Sequence, residues 1–476
     1  MLIESEFNIS RGLVIMKTNK LIYAFISVML CLALGISGIS AFASETEITD
    51  YSSIDKQIAE DIEKYHIPAM AVAVVDKDSV LFENTYGNCE NADLPFIIGS
   101  MSKSFTAIAI MQLYEQGKIE LESPIDEYID TSKWFDENTD HGRITVKDLL
   151  NHTSGITTYQ TFGSLKSTVQ YGSYEYANAN YGLLGLIIEA VSGMSYEQYI
   201  EQNIFEPIGM SHSAASLEKS KDNGLIDGYR NYFGIPVAGE PDYPEEIHDG
   251  TWTNIPAGYL SSSVSDMEKY LQMYLRGGEN IVSSESVDRM FYENVSEGNG
   301  SYYGMGWEYM PDLYSKPIIA HAGLVENYTS NMFILPEKGM AVVVLVNMND
   351  YLVGNNLLGN IVMPLLGEPK QKLPNLYLIL HAVIDVICYV IFFISIHSAV
   401  TLKKWRTKTS EKKMFVSDII RHMILPIILL AIPPIMATPY KVVWLFAKDI
   451  MLVIIINAVL LLAVGVYKAC FTLKKR

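Results

Sequence analysis

Three long apolar runs near the C-terminus constrain this chain more than any other feature. They lie near Leu376 to Val400, Ile419 to Thr438 and Val443 to Tyr467. About 20 apolar residues in helical form are enough to cross the hydrocarbon core of a bilayer. In the third run, the stretch from Ile450 to Tyr467 is interrupted only by Asn457. The sequence therefore predicts three transmembrane helices.

Charge divides the chain at the same place. Ser44 to Leu373 carries 48 Asp and Glu against 19 Lys and Arg, a net of −29, whereas Pro374 to Arg476 carries 4 against 13, a net of +9. So acidic a domain repels phosphate backbones, which argues against nucleic acid as a partner. We expect an acidic domain in water, joined to a basic and apolar membrane part.

The basic residues predict the orientation of the spans. Six Lys and Arg lie between Lys403 and Lys413, after the first run, and Lys474, Lys475 and Arg476 close the chain. Short loops rich in Lys and Arg stay in the cytoplasm, so both segments are predicted to be cytoplasmic. The acidic domain is then extracytoplasmic, on a multi-pass protein of the cell membrane.

The N-terminus predicts the same orientation. Lys17 and Lys20 precede an apolar run, Leu21 to Ala43, that ends in small residues, as a secretory signal does. The run is long for a signal, so cleavage and retention as an anchor both stay open, and Met16 is an alternative start. The predicted organisation is a signal peptide or anchor over 1–43, a globular domain over 44–367, a linker over 368–374 and membrane helices over 375–476.

A serine followed three residues later by a lysine is the first candidate for chemistry. This spacing occurs four times, beginning at Ser53, Ser100, Ser216 and Ser410. Only Ser100 precedes a segment, Phe105 to Tyr114, that is apolar around nearly its whole circumference, as a buried helix is. At the first turn of that helix Ser100 gains from the helix dipole, and Lys103 lies on the same face, near enough to exchange a proton. A serine needs such a partner to become a nucleophile.

Two further motifs follow in the order of a known family. Tyr176-Ala-Asn178 begins a second apolar segment, and His321-Ala-Gly323 follows a strand-like one. Ser-x-x-Lys, Tyr-x-Asn and Lys/His-x-Gly in this order resemble the class C β-lactamases, D-Ala peptidases and esterases related to penicillin-binding proteins. The resemblance runs from about Ile54 to Leu366.

The resemblance implies an α+β fold of two lobes, of the serine β-lactamase or penicillin-binding-protein transpeptidase type. One hairpin is predicted from Ala69 to Val75 and Val80 to Phe82, and another from Tyr328 to Leu335 and Met340 to Val346. By resemblance, both belong to one antiparallel sheet built from the two ends of the domain and flanked by helices. A mainly helical insertion carries Tyr176, and the site lies in the seam.

The resemblance also implies the chemistry. Ser100 attacks an acyl carbonyl, Lys103 or Tyr176 takes its proton, and Tyr176 later protonates the leaving group and activates water. The pKa of free lysine is about 10.4 and that of free tyrosine is about 10, so one of the two residues needs a depressed pKa to act as a base at neutral pH. The sequence leaves open which residue this is.

The remaining site residues are expected to bind the substrate. Backbone N–H groups of Ser100 and of Leu324, which follows Gly323, should hold the oxyanion, while the Leu324 side chain narrows the acyl pocket. Asn178 should orient a substrate amide or the Lys103 and Tyr176 pair. His321 replaces the lysine of true β-lactamases and is mostly neutral at pH 7, which favours peptides or esters over β-lactams.

The sequence predicts no metal and no cofactor, since its other histidines have no metal-ligand spacing. The predicted partners are a peptide or small acyl substrate and the membrane, and the oligomeric state stays open. A sensor that binds a ligand, or is acylated without turnover, and signals through the spans is the alternative. A signal, a hydrolase domain and three spans in this order are similar to the peptidases that mature nonribosomal precursors such as colibactin, an analogy of architecture only.

We predict that Ser100→Ala abolishes covalent labelling by a fluorophosphonate, because the nucleophile is lost. Ser53→Ala, Ser216→Ala and Ser410→Ala are matched controls, which share the Ser-x-x-Lys spacing and should label almost as the natural protein does. Labelling is measured by in-gel fluorescence over time. Equal labelling of the Ser100→Ala protein would exclude Ser100 as the nucleophile.

Overall fold

The computed structural model describes most of the chain, in two compact units. It describes residues 51–473 except 137–140, 164, 169, 248–253, 314–315, 350–359, 368–375, 409–415 and 436–437. The larger unit is Thr49–Gln371 with Trp444–Met451, and the smaller one holds the remaining C-terminal residues. The predicted signal or anchor and the predicted linker lie outside the described residues.

An eight-stranded antiparallel sheet organises the larger unit. Its strands are β1 Ala69–Asp76, β2 Val80–Gly87, β7 Val295–Ser296, β8 Tyr302–Tyr303, β9 Glu308–Leu313, β10 Lys316–Val325, β11 Tyr328–Leu335 and β12 Met340–Val346. They lie in the order β2-β1-β12-β11-β10-β9-β8-β7. Smaller sheets are formed by β3 Phe96–Ile97 with β6 Ser261–Ser262, and by β4 Tyr229–Tyr232, β5 Ile235–Ala238 and β13 Met348–Asn349.

The centre of the large sheet joins the two ends of the domain. Val72 of β1 lies opposite Val344 of β12 on one side and Asn84 of β2 on the other. β1 and β12 are almost entirely buried, which explains their nearly continuous runs of Ala, Val and Leu. The expected antiparallel sheet built from both ends of the domain is therefore confirmed, as is the α+β class.

The helices of the larger unit lie mostly between β2 and β7 in sequence. They are α1 Tyr51–Tyr65, α2 Ser102–Glu115, α3 Val146–Leu150, α4 Asn178–Ser192, α5 Tyr196–Ile200, α6 Glu206–Ile208, α7 Leu217–Asp222, α8 Ile255–Gly258, α9 Val264–Leu275 and α10 Ser284–Tyr292, and residues 360–365 are also helical. α9 packs against β1 and β12, whereas α2, α4 and α8 pack together as a helical lobe. α2 is buried from Ser102 to Met111, as its apolar circumference predicts.

The C-terminal helices differ from three uninterrupted spans. They are α11 Leu376–Val400, α12 Leu402–Lys408, α13 Val416–Ile419, α14 Leu425–Ile435, α15 Tyr440–Phe446 and α16 Lys448–Leu473. A π-helical turn, Ile420–Ile424, separates α13 from α14, and α14 contains Pro433 and Pro434. The predicted third run is divided between α15 and α16, so α16 begins five residues after Val443.

One of these helices qualifies as a membrane span by length and composition. Among the described residues, Lys448–Thr472 is long enough to cross a bilayer and contains an 18-residue window with a mean hydropathy of 2.8, whereas Cys388–Val400 is a shorter apolar stretch. The first two predicted spans therefore stay predictions.

Candidate active site

Ser100 lies on a tight turn between the sheet and the helical lobe. β3 pairs with β6, the backbone turns at Gly99 with a φ of +55°, and a 3₁₀ turn over Gly99–Met101 leads into α2. A Cβ on Gly99 would lie 2.5 Å from the backbone nitrogen of Leu324. The position needs glycine both for its left-handed backbone and for this close approach to β10.

Lys103 is fully buried and points back at Ser100. Its Nζ lies 3.0 Å from Ser100 Oγ, 2.8 Å from Asn178 Oδ1 and 2.7 Å from the carbonyl oxygen of Ala257. These three atoms belong to the Ser100 turn, to α4 and to α8. Burial lowers the pKa of Lys103 well below its usual value, because water no longer stabilises the ammonium form.

Tyr176 completes this group from the end of the loop before α4. The Tyr176 ring centroid lies 4.7 Å from Lys103 Nζ, and its hydroxyl interacts with Ser100. Burial is the main cause that raises the pKa of Tyr176, and the hydrogen bond with Ser100 offsets only part of it. The Lys103 and Tyr176 pKa values are thus displaced in directions that both oppose an ammonium and tyrosinate pair.

The open edge of β10 faces the Ser100 turn. β10 pairs with β9 only as far as Ala320, whereas its pairing with β11 continues to Val325. A Cβ on Gly323 would lie 2.1 Å from the Ile98 carbonyl oxygen, so the strand and the turn are as close as glycine allows. This contact brings the Leu324 backbone nitrogen beside Gly99 and Ser100, where it could bind an oxyanion.

His321 is buried behind this edge instead of facing the cavity. Its Nδ1 lies 2.7 Å from the Ala322 carbonyl oxygen, which can only accept, so Nδ1 carries the hydrogen. Its Nε2, 3.0 Å from the Tyr303 hydroxyl, then accepts from that group. Burial, and secondarily the Lys103 charge, lower the pKa of His321 to about 3. His321 is therefore a neutral ring with both nitrogens engaged.

A cavity of about 180 Å³ opens beside Ser100. It is lined by Ser100, Tyr176, Asn178, Gly258, Tyr259, Leu324, Val325, Glu326, Leu445 and Phe446. The structure thus brings together Ser100, Lys103, Tyr176, Asn178 and Leu324, whereas His321 and Gly323 support the cavity from outside its lining. Among the described residues, no group of His, Cys, Asp and Glu side chains has the arrangement of a metal site.

Comparison with known proteins identifies the family to which this chain belongs. The Beta-lactamase family profile matches residues 54–356, more than half of the chain. The chain belongs to the beta-lactamase family. The match covers the larger unit from α1 to beyond β13 and includes every residue of the cavity that precedes Leu445.

Curated relatives are similar to this chain over part of their lengths. Protein flp of Staphylococcus aureus strain N315 is 27% identical over 333 residues, 64% of this chain and 65% of that protein. The putative penicillin-binding protein PbpX of Bacillus subtilis strain 168 is 32% identical over 234 residues, 46% of this chain and 55% of that protein. The chain therefore matches 65% of the length of the first relative and 55% of the length of the second.

Solved structures of the same fold cover a similar portion. The octameric penicillin-binding protein homologue from Pyrococcus abyssi has a TM-score of 0.59 and 28% identity, over 68% of this chain and 79% of that one. A D-stereospecific amidohydrolase from Streptomyces has a TM-score of 0.52 and 19% identity, over 64% of this chain and 97% of that one. The second likeness shows the fold alone.

His152, for which the sequence predicts an ordinary packing or surface role, packs against Tyr176 beside the site of this beta-lactamase family member. Its ring is fully buried, lies 4.5 Å from the Tyr176 ring, and accepts at Nδ1 from the Ala177 N–H and from the Asn180 amide. Burial, and then the charge of Lys103, lower the pKa of His152. Its sequence signal is Asn151-His-Thr-Ser-Gly155, in which His152 has a left-handed φ of +58°.

The close approach of β10 to the Ser100 turn predicts that Gly323→Ala destabilises the protein. The added methyl would meet the Ile98 carbonyl and Ser330 Oγ, and overpacking of this kind costs roughly 1–3 kcal/mol. Gly239→Ala is the matched control, because nothing lies within 4 Å of its Cβ position. Thermal unfolding of the purified proteins measures the difference, and equal midpoints for both variants would contradict this packing.

Proposed function

We propose that this protein is a membrane-anchored, extracytoplasmic serine hydrolase that forms an acyl-enzyme at Ser100. The substrates are acyl compounds: peptides, including those containing D-amino acids, esters and β-lactams, with peptide or ester hydrolysis favoured. The observation that carries the proposal is the contact of 3.0 Å between Ser100 Oγ, at the cavity wall, and the buried Lys103 Nζ. A serine and a base within hydrogen-bond reach are the requirement for nucleophilic catalysis.

Neutral Lys103 is the base that fits this geometry. An uncharged amine has two N–H donors and one lone pair. If the two N–H groups donate to Asn178 Oδ1 and the Ala257 carbonyl, the lone pair is left for the Ser100 hydroxyl hydrogen. After proton transfer, the ammonium would donate to all three oxygens, so no contact is lost. The lowered pKa of Lys103 supplies the neutral form that this step requires.

Tyr176 then serves as the acid for the leaving group, and the proton that Lys103 took from Ser100 replaces the one that Tyr176 gives up, so that no ammonium and tyrosinate pair persists. Tyr176 also positions water for deacylation. Its raised pKa keeps the hydroxyl protonated at neutral pH, so it can donate a proton. The backbone N–H groups of Ser100 and Leu324 hold the carbonyl oxygen as negative charge develops on it. Asn178 has its Oδ1 engaged by Lys103, which favours its role in orienting the base.

The charge distribution around the cavity favours peptides or esters over β-lactams. Neutral His321 stands where true β-lactamases carry a lysine, and its hydrogen bonds to Tyr303 and Ala322 hold it in the uncharged form. The antibiotic's carboxylate would therefore meet no fixed positive charge from this residue. The sensor alternative shares the same acylation step and differs in whether the acyl group is released.

The pH dependence of turnover tests the base. Hydrolysis of a p-nitrophenyl ester should rise with pH as Lys103 loses its proton, and should level off below the usual lysine pKa of about 10.4, because burial lowers that pKa. Lys103→Arg keeps a charge at every accessible pH and should lower turnover by about 10²–10⁴-fold throughout. Retention of ordinary rates by the Lys103→Arg protein would exclude Lys103 as the base.

The same assay separates an enzyme from a sensor. An enzyme releases many equivalents of nitrophenol, and its labelling by a fluorescent penicillin decays as the acyl group is hydrolysed. A single equivalent of nitrophenol with permanent label at Ser100 would favour the sensor.

The proposed topology places the larger unit outside the cell and the basic segment between Lys403 and Lys413 in the cytoplasm. The apolar helix Lys448–Thr472 and the basic C-terminus support it. A cysteine introduced at Thr407 should react with a membrane-impermeant maleimide only after the cells are opened. One introduced at Asp78, on the exposed β1–β2 turn, is the matched control and should react in intact cells. The reverse pattern would invert the topology.

A further inference from the structure

We infer that the cavity beside Ser100 selects acyl groups with a compact apolar side chain, about as large as a benzene ring, and that Leu445 and Phe446 form the selective wall. The inference rests on the proposed function, since it assumes that an acyl group occupies the cavity during turnover. It goes further by naming the substrate's shape and polarity.

Four apolar side chains are part of the cavity lining. Leu324, Val325, Leu445 and Phe446 contribute aliphatic and aromatic surface from two segments far apart in sequence. The acidic group of the lining, Glu326, is only 3% exposed, and its carboxylate accepts from the Tyr259 hydroxyl and the Asp242 backbone N–H. Each of its two carboxylate oxygens is therefore already hydrogen-bonded within the protein, so the available surface favours an apolar group.

The size of the cavity limits that group. Its volume is about 180 Å³. An apolar cavity of roughly 150 Å³ in another protein is large enough to hold benzene. A phenyl or branched aliphatic side chain therefore matches the space, whereas a methyl group would leave most of it unfilled.

The wall is held in place by contacts of its own. Trp444–Met451 belongs to the compact unit that contains Ser100, although these residues come 73 positions after Gln371 in the sequence. The backbone N–H of Phe233, at the turn between β4 and β5, donates to Asp449 Oδ2 at 3.0 Å. Asp449 Oδ1 accepts from its neighbour Ile450. Such an anchor gives Leu445 and Phe446 fixed positions, which selection by shape requires.

Paired esters test the inference on the full-length protein in detergent. The natural protein should hydrolyse p-nitrophenyl phenylacetate with a higher kcat/KM than p-nitrophenyl acetate. Phe446→Ala should reduce kcat/KM for the phenylacetate by about tenfold or more and for the acetate by less than about threefold, since only the larger acyl group contacts the wall. Phe446→Leu should retain most of the preference. Trp444→Ala is the matched control, because Trp444 is 37% exposed and does not line the cavity.

Fluorophosphonate labelling of Ser100 separates the possible failures. If the natural protein labels and turns over but prefers neither ester, the apolar selection is overturned and the hydrolase proposal stands. The selection is also overturned if Phe446→Ala labels normally but slows both esters equally, or if Trp444→Ala matches Phe446→Ala. If Phe446→Ala fails to label because it does not fold, the test uses the Phe446→Leu and Leu445→Ala proteins instead. The ratio of kcat/KM for the phenylacetate to kcat/KM for the acetate is then compared between these variants and the natural protein. Absence of both labelling and turnover in the natural protein would overturn both proposals.

Discussion

The rest of the site depends on the hydrogen bonds that the buried amine of Lys103 makes. Its Nζ is excluded from water and contacts oxygens from the Ser100 turn, from Asn178 at the start of α4 and from Ala257 in α8. An unpaired ammonium in such a place would cost several kcal/mol, so the three oxygens must remain close whichever protonation state is present. One atom therefore fixes the relative positions of three chain segments, and with them the floor of the cavity.

Close backbone packing fixes the opposite wall. Gly99 and Gly323 allow the Ser100 turn and β10 to approach to distances that no side chain would permit, and Ser330 Oγ donates to the Ile98 carbonyl across the same contact at 2.6 Å. The side chains that we propose as catalytic come from the Ser100 turn and the helical lobe, whereas the edge proposed to bind the oxyanion comes from the sheet. The seam between the sheet and the helical lobe thus depends on two glycines and a buried lysine. Two of these residues, Lys103 and Gly323, belong to the short motifs from which the sequence predicts the site.

The hydrophobic pattern of a short segment predicts those helices and strands whose formation depends mainly on the segment's own residues. The β11 and β12 hairpin and the buried helix after Ser100 follow from hydrophobic patterning, and both are present. Hydrophobic patterning could not identify Leu445 and Phe446 as cavity residues, because they lie inside an apolar run that predicts a transmembrane helix. Only the fold brings them to the cavity. That run is divided between α15 and α16, and Asp449 at the start of α16 makes a contact that is equally distant in sequence, the hydrogen bond from the Phe233 N–H.

The two buried histidines beside Lys103 are neutral, so they add no permanent positive charge to the site. Burial is the main cause that lowers the pKa of both His152 and His321, and a charge on Lys103, when that residue is protonated, lowers each pKa further. A permanent ammonium would be disfavoured by burial, and a protonated histidine beside it would add repulsion. In the proposed mechanism, positive charge arises on Lys103 only while it holds the serine proton, when the developing oxyanion is there to offset it. A substrate that brought its own carboxylate would gain nothing from such a site before the reaction began, whereas a neutral acyl group is stabilised only as it reacts, which is the condition for catalysis over tight binding.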